Sequence, residues 1–123
     1  MSHIVKLRTN SDSRGSLTVI EKVLGFDIKR VYYIYNVDES VRGGHRHKIT
    51  TQAAVCIKGS CDIFVNNGNE KLTYTLKNPD QCLILEPEDW HSMSNFTSDA
   101  VLLVLASEYY DPNDYIIENY ETN

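Results

Sequence analysis

The chain has 123 residues, 41% of them hydrophobic, enough for one domain (1–123) around one real core. A net charge of −5 excludes a general nucleic-acid surface, which needs clustered Lys and Arg, so any anionic ligand must meet a local basic site. No apolar run approaches the roughly 18 residues that span a bilayer, and "MSHIVKLRTN" lacks the apolar core of a signal peptide, so a cytoplasmic protein away from membranes is expected.

In chain order, "IVKL" (4–7), "SLTVIE" (16–21) and "RVYYIYNV" (30–37) are short runs rich in β-branched and aromatic residues, bounded by Gly, Asn, Asp and Ser. After the glycine pair Gly43-Gly44 come "QAAVCIKG" (52–59), "CDIFVN" (61–66), "KLTYTL" (71–76), "QCLILE" (81–86) and "AVLLVLAS" (100–107). Together they predict an all-β, antiparallel sandwich or barrel with little helix. Asn67 and Gly68 tolerate positive φ, so the fifth and sixth runs read as a hairpin. The apolar "AVLLVLA" suits a strand buried on both faces. One helical turn is expected after Pro112 in "DPNDYI", and the polar tail from about residue 118 reads as frayed. Cys56, Cys61 and Cys82 are odd in number, sit in strand runs and show no C-x-x-C spacing, which predicts buried reduced thiols.

The stretch carrying chemistry is "RGGHRHKITTQAAVCIKG", Arg42 to Gly59. Strand alternation points His45 and His47 to one face with Cβ atoms roughly 7 Å apart, so both can reach one ligand. Arg42, Arg46 and Lys48 surround them. A His-x-His pair suggests a metal, yet Gln52 stands where a carboxylate ligand is expected, and a neutral amide leaves a divalent ion's charge unmatched. Imidazoles titrating near neutral pH can instead move protons themselves. In "RVYYIYNV" Tyr33 and Tyr35 share one face and Tyr32 takes the other.

The spacing resembles the first motif of the cupin superfamily, with His45, His47, Gln52 in the Glu position and Gly59. "EPEDWHSMSN" resembles the second through Pro87, His91 and Asn95, with the Pro-to-His gap one residue short and Asp89 in a usual glycine position. From about Lys6 to Ile117 the chain is similar to the sugar-nucleotide 3,4-ketoisomerases of the WxcM-like group, although Arg46 replaces the small residue that many relatives carry between the histidines. The resemblance implies a cupin-type jelly-roll β-barrel acting on dTDP-4-keto-6-deoxyglucose. Its ketone would move from C4 to C3 through an enediol(ate), for a dTDP-3-amino-3,6-dideoxyhexose of surface polysaccharide or lipopolysaccharide.

It further implies His45, His47 and Tyr33 as catalytic residues. Arg42, Lys48 and Arg14 fall to the diphosphate, and Gln52 and His91 to the ligand. Trp90 reads either as a platform for the base or as filling at the barrel mouth. No metal and no cofactor are expected, and no Gly-rich dinucleotide fingerprint is present. The expected partner is a second copy, a homodimer whose N-terminal strand "HIVKLRT" is available for exchange. A sugar-nucleotide epimerase, a non-catalytic sugar-nucleotide-binding cupin and a metal-dependent cupin dioxygenase are the competing functions.

Overall fold

The computed structural model describes residues 1–121. Twelve strands run in chain order: β1 (His3–Lys6), β2 (Arg8–Asp12), β3 (Gly15–Val19), β4 (Arg30–Tyr35), β5 (Arg42–His47), β6 (Gln52–Lys58), β7 (Cys61–Asn66), β8 (Lys71–Leu76), β9 (Gln81–Leu85), β10 (Trp90–Ser94), β11 (Val101–Ala106) and β12 (Tyr115–Ile116). A five-stranded sheet of order β1-β9-β6-β11-β4 faces a second of order β12-β5-β10-β7-β8, and β2-β3 forms a separate ribbon. All pairings are antiparallel, as the jelly-roll expectation requires.

Period-2 alternation builds two apolar layers. Ala54 and Cys56 of β6 and Leu102 and Val104 of β11 point between the sheets, where they meet Ile63 and Val65 of β7, Leu76 of β8 and Met93 of β10. The alternate residues Ala53, Val55 and Leu105 point outward, beneath Leu7, Leu24, Ile20 and Phe26. The apolar run of β11 is thus covered on both sides over much of its length, as its composition predicts. Cys56, Cys61 and Cys82 are free and buried.

The 61–76 hairpin forms in full register from Cys61↔Leu76 to Asn66↔Lys71, with Gly68 at φ +94°. The helical turn after Pro112 is a single 3₁₀ turn, Pro112–Asp114, capped by the Asp111 side chain. The tail departs from expectation. Asn66 Nδ2 donates to Asn119 Oδ1 at 3.1 Å, Trp90 Nε1 donates to the Ile117 carbonyl at 2.9 Å, and the Arg46 guanidinium stacks 4.3 Å from the Tyr120 ring centroid. Residues 118–120 are therefore tied to the second sheet rather than frayed. Residues 122 and 123 lie outside the described residues.

The N-terminal strand also has a place of its own: β1 pairs with β9 of the same chain, from His3↔Ile84 to Lys6↔Gln81. The ribbon β2-β3 is the N-terminal element hydrogen-bonded to no other strand among the described residues, and Leu17 on it is 60% exposed.

Gly59 makes the turn from β6 to β7 at φ +68°, and a Cβ there would overlap Thr97, Asp99 and the backbone of Ala100, the last at 2.8 Å. Backbone cannot rotate away as a long side chain can. Gly59→Ala is expected to destabilise the fold by about 2 kcal/mol or more, measured by chemical denaturation, because strain at positive φ adds to the overlap. A loss under about 0.5 kcal/mol, the range of inert surface changes, contradicts this.

Candidate active site

Gly43 and Gly44, at φ +78° and +84°, open β5 and let it approach β10 closely: a Cβ on Gly43 would stand 3.1 Å from the His91 carbonyl oxygen. The register slips between His91↔His45 and Ser92↔Gly43, a bulge that re-aims the following residues. Beyond it His45 and His47 turn to the inner face, as the alternation predicts, and His91 reaches the same point from β10. The His45 ring centroid lies 5.1 Å from that of His47 and 5.0 Å from that of His91, and the Tyr115 ring, inclined at about 60° to both, has its centroid 4.7 Å from those of His45 and His47.

His47 is oriented by a carboxylate. Its Nδ1 lies 2.8 Å from Asp114 Oδ2, and Asp114 also accepts from the Lys48 and Ile49 amides at 3.0 and 2.8 Å and from the Thr50 hydroxyl. Burial works to raise the Asp114 pKa, but the hydrogen bonds from Thr50, Ile49 and His47 outweigh it and hold the group below its ordinary range, ionised. An anion there places the His47 proton on Nδ1 and leaves Nε2 bare, without a protein partner. His91 Nδ1 likewise lies 3.0 Å from the Asp89 carbonyl oxygen, an obligate acceptor, so its Nε2 is also bare.

All three rings are neutral at pH 7. Burial pushes His45 down to about 4, assisted by the nearby His47, and pushes His91 down to about 3. His47 is lowered by burial too, with Asp114 opposing and Arg30 adding to the depression.

A cavity of about 300 Å³ opens beside His45, lined by Arg30, Tyr32, Ile34, Arg42, Gly43, Met93 and Tyr115. Tyr32 Oη accepts from Gln52 Nε2 at 3.0 Å, and burial raises its pKa, so the phenol stays protonated. Gln52 is 1% exposed, and its Oε1 is free of partners.

The expected site residues divide. His45 and Arg42 line this cavity, and His47, His91 and Gln52 are buried next to its lining, the two imidazoles against His45 and the amide against Tyr32. Tyr33 does not: in register with Leu103, it stands with Val31 and Tyr35 on the outer face of the first sheet, 62% exposed. The alternation put Tyr32 and Tyr33 on opposite faces, and it is Tyr32 that turns inward. Trp90 neither stacks over the cavity nor fills its mouth. One residue out of phase with His91, it packs on the outer face against Phe64, its ring centroid 6.2 Å away, beneath the C-terminal segment. Lys48 has an exposed side chain and contributes its backbone amide to Asp114. Arg14 sits at the ribbon tip, 88% exposed and paired with Asp12 at 2.6 Å, away from the histidines of its own chain.

Sequence reasoning missed Arg30, Tyr115 and Asp114. The first begins the "RVYYIYNV" run and could have been found by taking Tyr32 rather than Tyr33 as inward. Asp114 lies 67 residues from His47, and no local pattern links them.

Nitrogens of His45, His47 and His91 lie within 4.8 Å of one another, a spacing able to hold a metal ion. Three neutral imidazoles would hold such an ion with its full charge uncompensated. The set contains no anionic ligand, Asp114 is saturated by four donors, and Arg30 adds positive charge beside His47.

Comparison with known proteins agrees in sequence and shape. The family model described as FdtA: WxcM-like, C-terminal matches residues 1–122. The chain is 46% identical over 116 residues to the TDP-4-oxo-6-deoxy-alpha-D-glucose-3,4-oxoisomerase of Aneurinibacillus thermoaerophilus, covering 92% of this chain and 84% of that protein. A 3,4-ketoisomerase from Helicobacter canadensis superposes with a TM-score of 0.91 at 38% identity, over 95% of this chain and 90% of that one. A histidine-to-asparagine mutant of the 3,4-ketoisomerase QdtA from Thermoanaerobacterium thermosaccharolyticum, in complex with TDP-4-keto-6-deoxyglucose, also gives 0.91, at 42% identity over 95% and 87% of the two chains.

The depressed histidines tie stability to pH. Each binds a proton more readily unfolded, near 6.5, than folded, so their contribution is intact above about pH 6.5 and is lost as pH falls toward 4. Thermal midpoints followed by circular dichroism should be level from pH 8 to 7 and fall steadily from 6.5 to 4, with a shallower fall in His45→Asn. Equal slopes in parent and variant contradict the assignment.

Proposed function

The chain belongs to the FdtA family, WxcM-like, C-terminal, and from that membership we infer its chemistry: it is an isomerase that moves the ketone of TDP-4-keto-6-deoxyglucose from C4 to C3. The observation that carries a residue-level mechanism is the His47–Asp114 contact. The C4 carbonyl acidifies the proton on C3. His47 Nε2, without a hydrogen-bond partner and beside His45, takes that proton, and Asp114 stabilises the imidazolium that results. The electron pair of the C3–H bond becomes the C3–C4 double bond of an enediol(ate), and the carbonyl electrons pass to O4. Closing the cycle requires O4 to take up a proton and become a hydroxyl, O3 to release its proton, C3 to become the ketone and C4 to receive a proton. Hydrogen is moved and none is gained or lost, so the conversion needs no redox cofactor.

His45 and the protonated Tyr32 serve the oxygens in this scheme. Tyr32, held by Gln52, takes the part that the resemblance gave to Tyr33. Arg42, at the cavity rim, faces the diphosphate. Two features support a metal-free reaction: the absence of an anionic ligand in the histidine cluster and the positive field of Arg30.

The supply of a 3-keto sugar to an aminotransferase, for a 3-amino-3,6-dideoxyhexose of surface polysaccharide or lipopolysaccharide, fits this product. No helix among the described residues is long and apolar enough to cross a membrane. A cytoplasmic location accords with a nucleotide-sugar substrate.

The partner is a second copy of the chain. Val31, Tyr33 and Tyr35 leave an apolar strip exposed on the outer face of the first sheet, and the β2-β3 ribbon is unsupported. Such patches and edges are ordinarily covered. Exchange would fall to the ribbon, which also carries Arg14, rather than to β1.

In deuterated buffer the parent, after dialysis against a strong chelator, should convert TDP-4-keto-6-deoxyglucose with deuterium entering C3 and C4. His47→Asn should lose about 10²–10⁴-fold in kcat together with C3 exchange, whereas His45→Asn should lose turnover and retain C3 exchange. Turnover that returns only on adding a divalent ion contradicts the metal-free scheme, and variants as fast as the parent reduce the histidines to structure. By sedimentation the protein should have twice the chain mass at micromolar concentration; a single-chain mass rejects the dimer.

A further inference from the structure

The cavity holds a cation that neither the sequence nor the proposed proton transfers account for. Arg30, the first residue of β4, points inward with Tyr32. Its guanidinium carbon lies 5.0 Å from the Tyr32 ring centroid and 5.5 Å from that of Tyr110, and its Nη2 donates to Tyr115 Oη at 3.5 Å. Two aromatic faces and a phenol fix the plane of the group, so little side-chain entropy remains to be lost on contact with a ligand.

What Arg30 lacks is an anion. Among the described residues no carboxylate pairs with it, and its Nε is buried without a hydrogen-bond partner. No residue lining the cavity is acidic. A half-buried guanidinium without a counter-charge is costly in a structural role, since its desolvation is uncompensated. The missing negative charge is the one the reaction generates. When the C3 proton leaves, an electron pair passes to O4, and a neutral carbonyl becomes an oxyanion. A fixed cation that meets charge only as it develops stabilises the transition state more than the ground state.

We propose that Arg30 is a catalytic residue of the ketoisomerase, the group that receives the enediolate oxyanion, distinct in task from the exposed Arg42 at the cavity rim. This rests on the isomerase reading above and adds the electrostatic partner it lacked. The contacts divide the labour: Tyr115 touches His45, His47 and Arg30 at once, so one phenol joins base and cation, and Arg30, His45 and Tyr115 line the same cavity.

The test is kinetic and uses the full chain. Arg30→Met keeps a long apolar stem between the tyrosines and removes the charge, and Arg30→Lys keeps the charge and loses the fork. Parent and variants are compared in turnover of TDP-4-keto-6-deoxyglucose, in deuterium entry at C3, and in calorimetric affinity for TDP, which also reports an intact fold. Arg30→Met should lose about 10²–10³-fold in kcat and in C3 exchange, the scale of one oxyanion donor, with TDP affinity within about twofold of the parent. Arg30→Lys should recover at least about tenfold of that loss.

Three results overturn the proposal: Arg30→Met turning over within about threefold of the parent; TDP affinity falling with kcat unchanged, which makes Arg30 a diphosphate contact; or Arg30→Lys as slow as Arg30→Met while both bind TDP. If Arg30→Met fails to bind TDP or to fold, Arg30→Lys alone decides, since a folded charge-keeping variant slowed more than about 10²-fold rejects a role for the charge. A parent that neither converts the sugar nor exchanges C3 rejects the isomerase reading itself.

Discussion

The site depends on one buried carboxylate. Asp114 is 6% exposed and would be costly there as an isolated ion, yet it accepts from the Lys48 and Ile49 amides, the Thr50 hydroxyl and His47 Nδ1. These donors span the end of β5 and the connection into β6. The same contacts that compensate the charge therefore fix the strand end that carries the histidines. Asp114 is itself delivered by the 3₁₀ turn begun at Pro112, and the next residue, Tyr115, pairs with His47 as the edge of the second sheet. Loosening that turn would release the tautomer of His47, the aromatic wall between the rings and the closure of the loop together.

Burial sets the other condition. Burial lowers His47 from its ordinary value and pushes its neighbours His45 and His91 to about 4 and about 3, so the rings rest neutral at physiological pH and His47 keeps a lone pair free to take a proton. A neutral base abstracting from carbon in a confined space creates two charges at once, an imidazolium and an oxyanion. Asp114 stands beside the first, and Arg30 is placed for the second.

Much of the fold was legible because its signals are local. β-branched runs separated by turn residues gave eight of the strands, and Asn67 and Gly68 gave the 61–76 hairpin. β2, β10 and β12 were missed, since "RTNSD" is polar throughout, "WHSMS" has few strand formers and β12 is two residues long. In the site, His45 and His47 were readable from strand period alone. The choice between Tyr32 and Tyr33 was not: alternation separates two faces without saying which is inward, and both faces of "RVYYIYNV" carry apolar bulk. Asp114 and Tyr115 reach the histidines through a chain reversal far along the sequence. Trp90 misled because an aromatic beside a site histidine was judged by proximity in sequence, while neighbours on a strand point to opposite faces.

The central claim, that Asp114 holds the proton of His47 on Nδ1 and leaves Nε2 bare as a base, is open to direct measurement. In protein labelled with ¹⁵N in histidine, ring-nitrogen spectra at neutral pH, assigned by comparison with His47→Asn, report which nitrogen of His47 is protonated. The account requires a neutral ring with hydrogen on Nδ1 and an unprotonated Nε2, and a shift away from that tautomer in Asp114→Asn. A hydrogen on Nε2, or a ring charged at neutral pH, contradicts it.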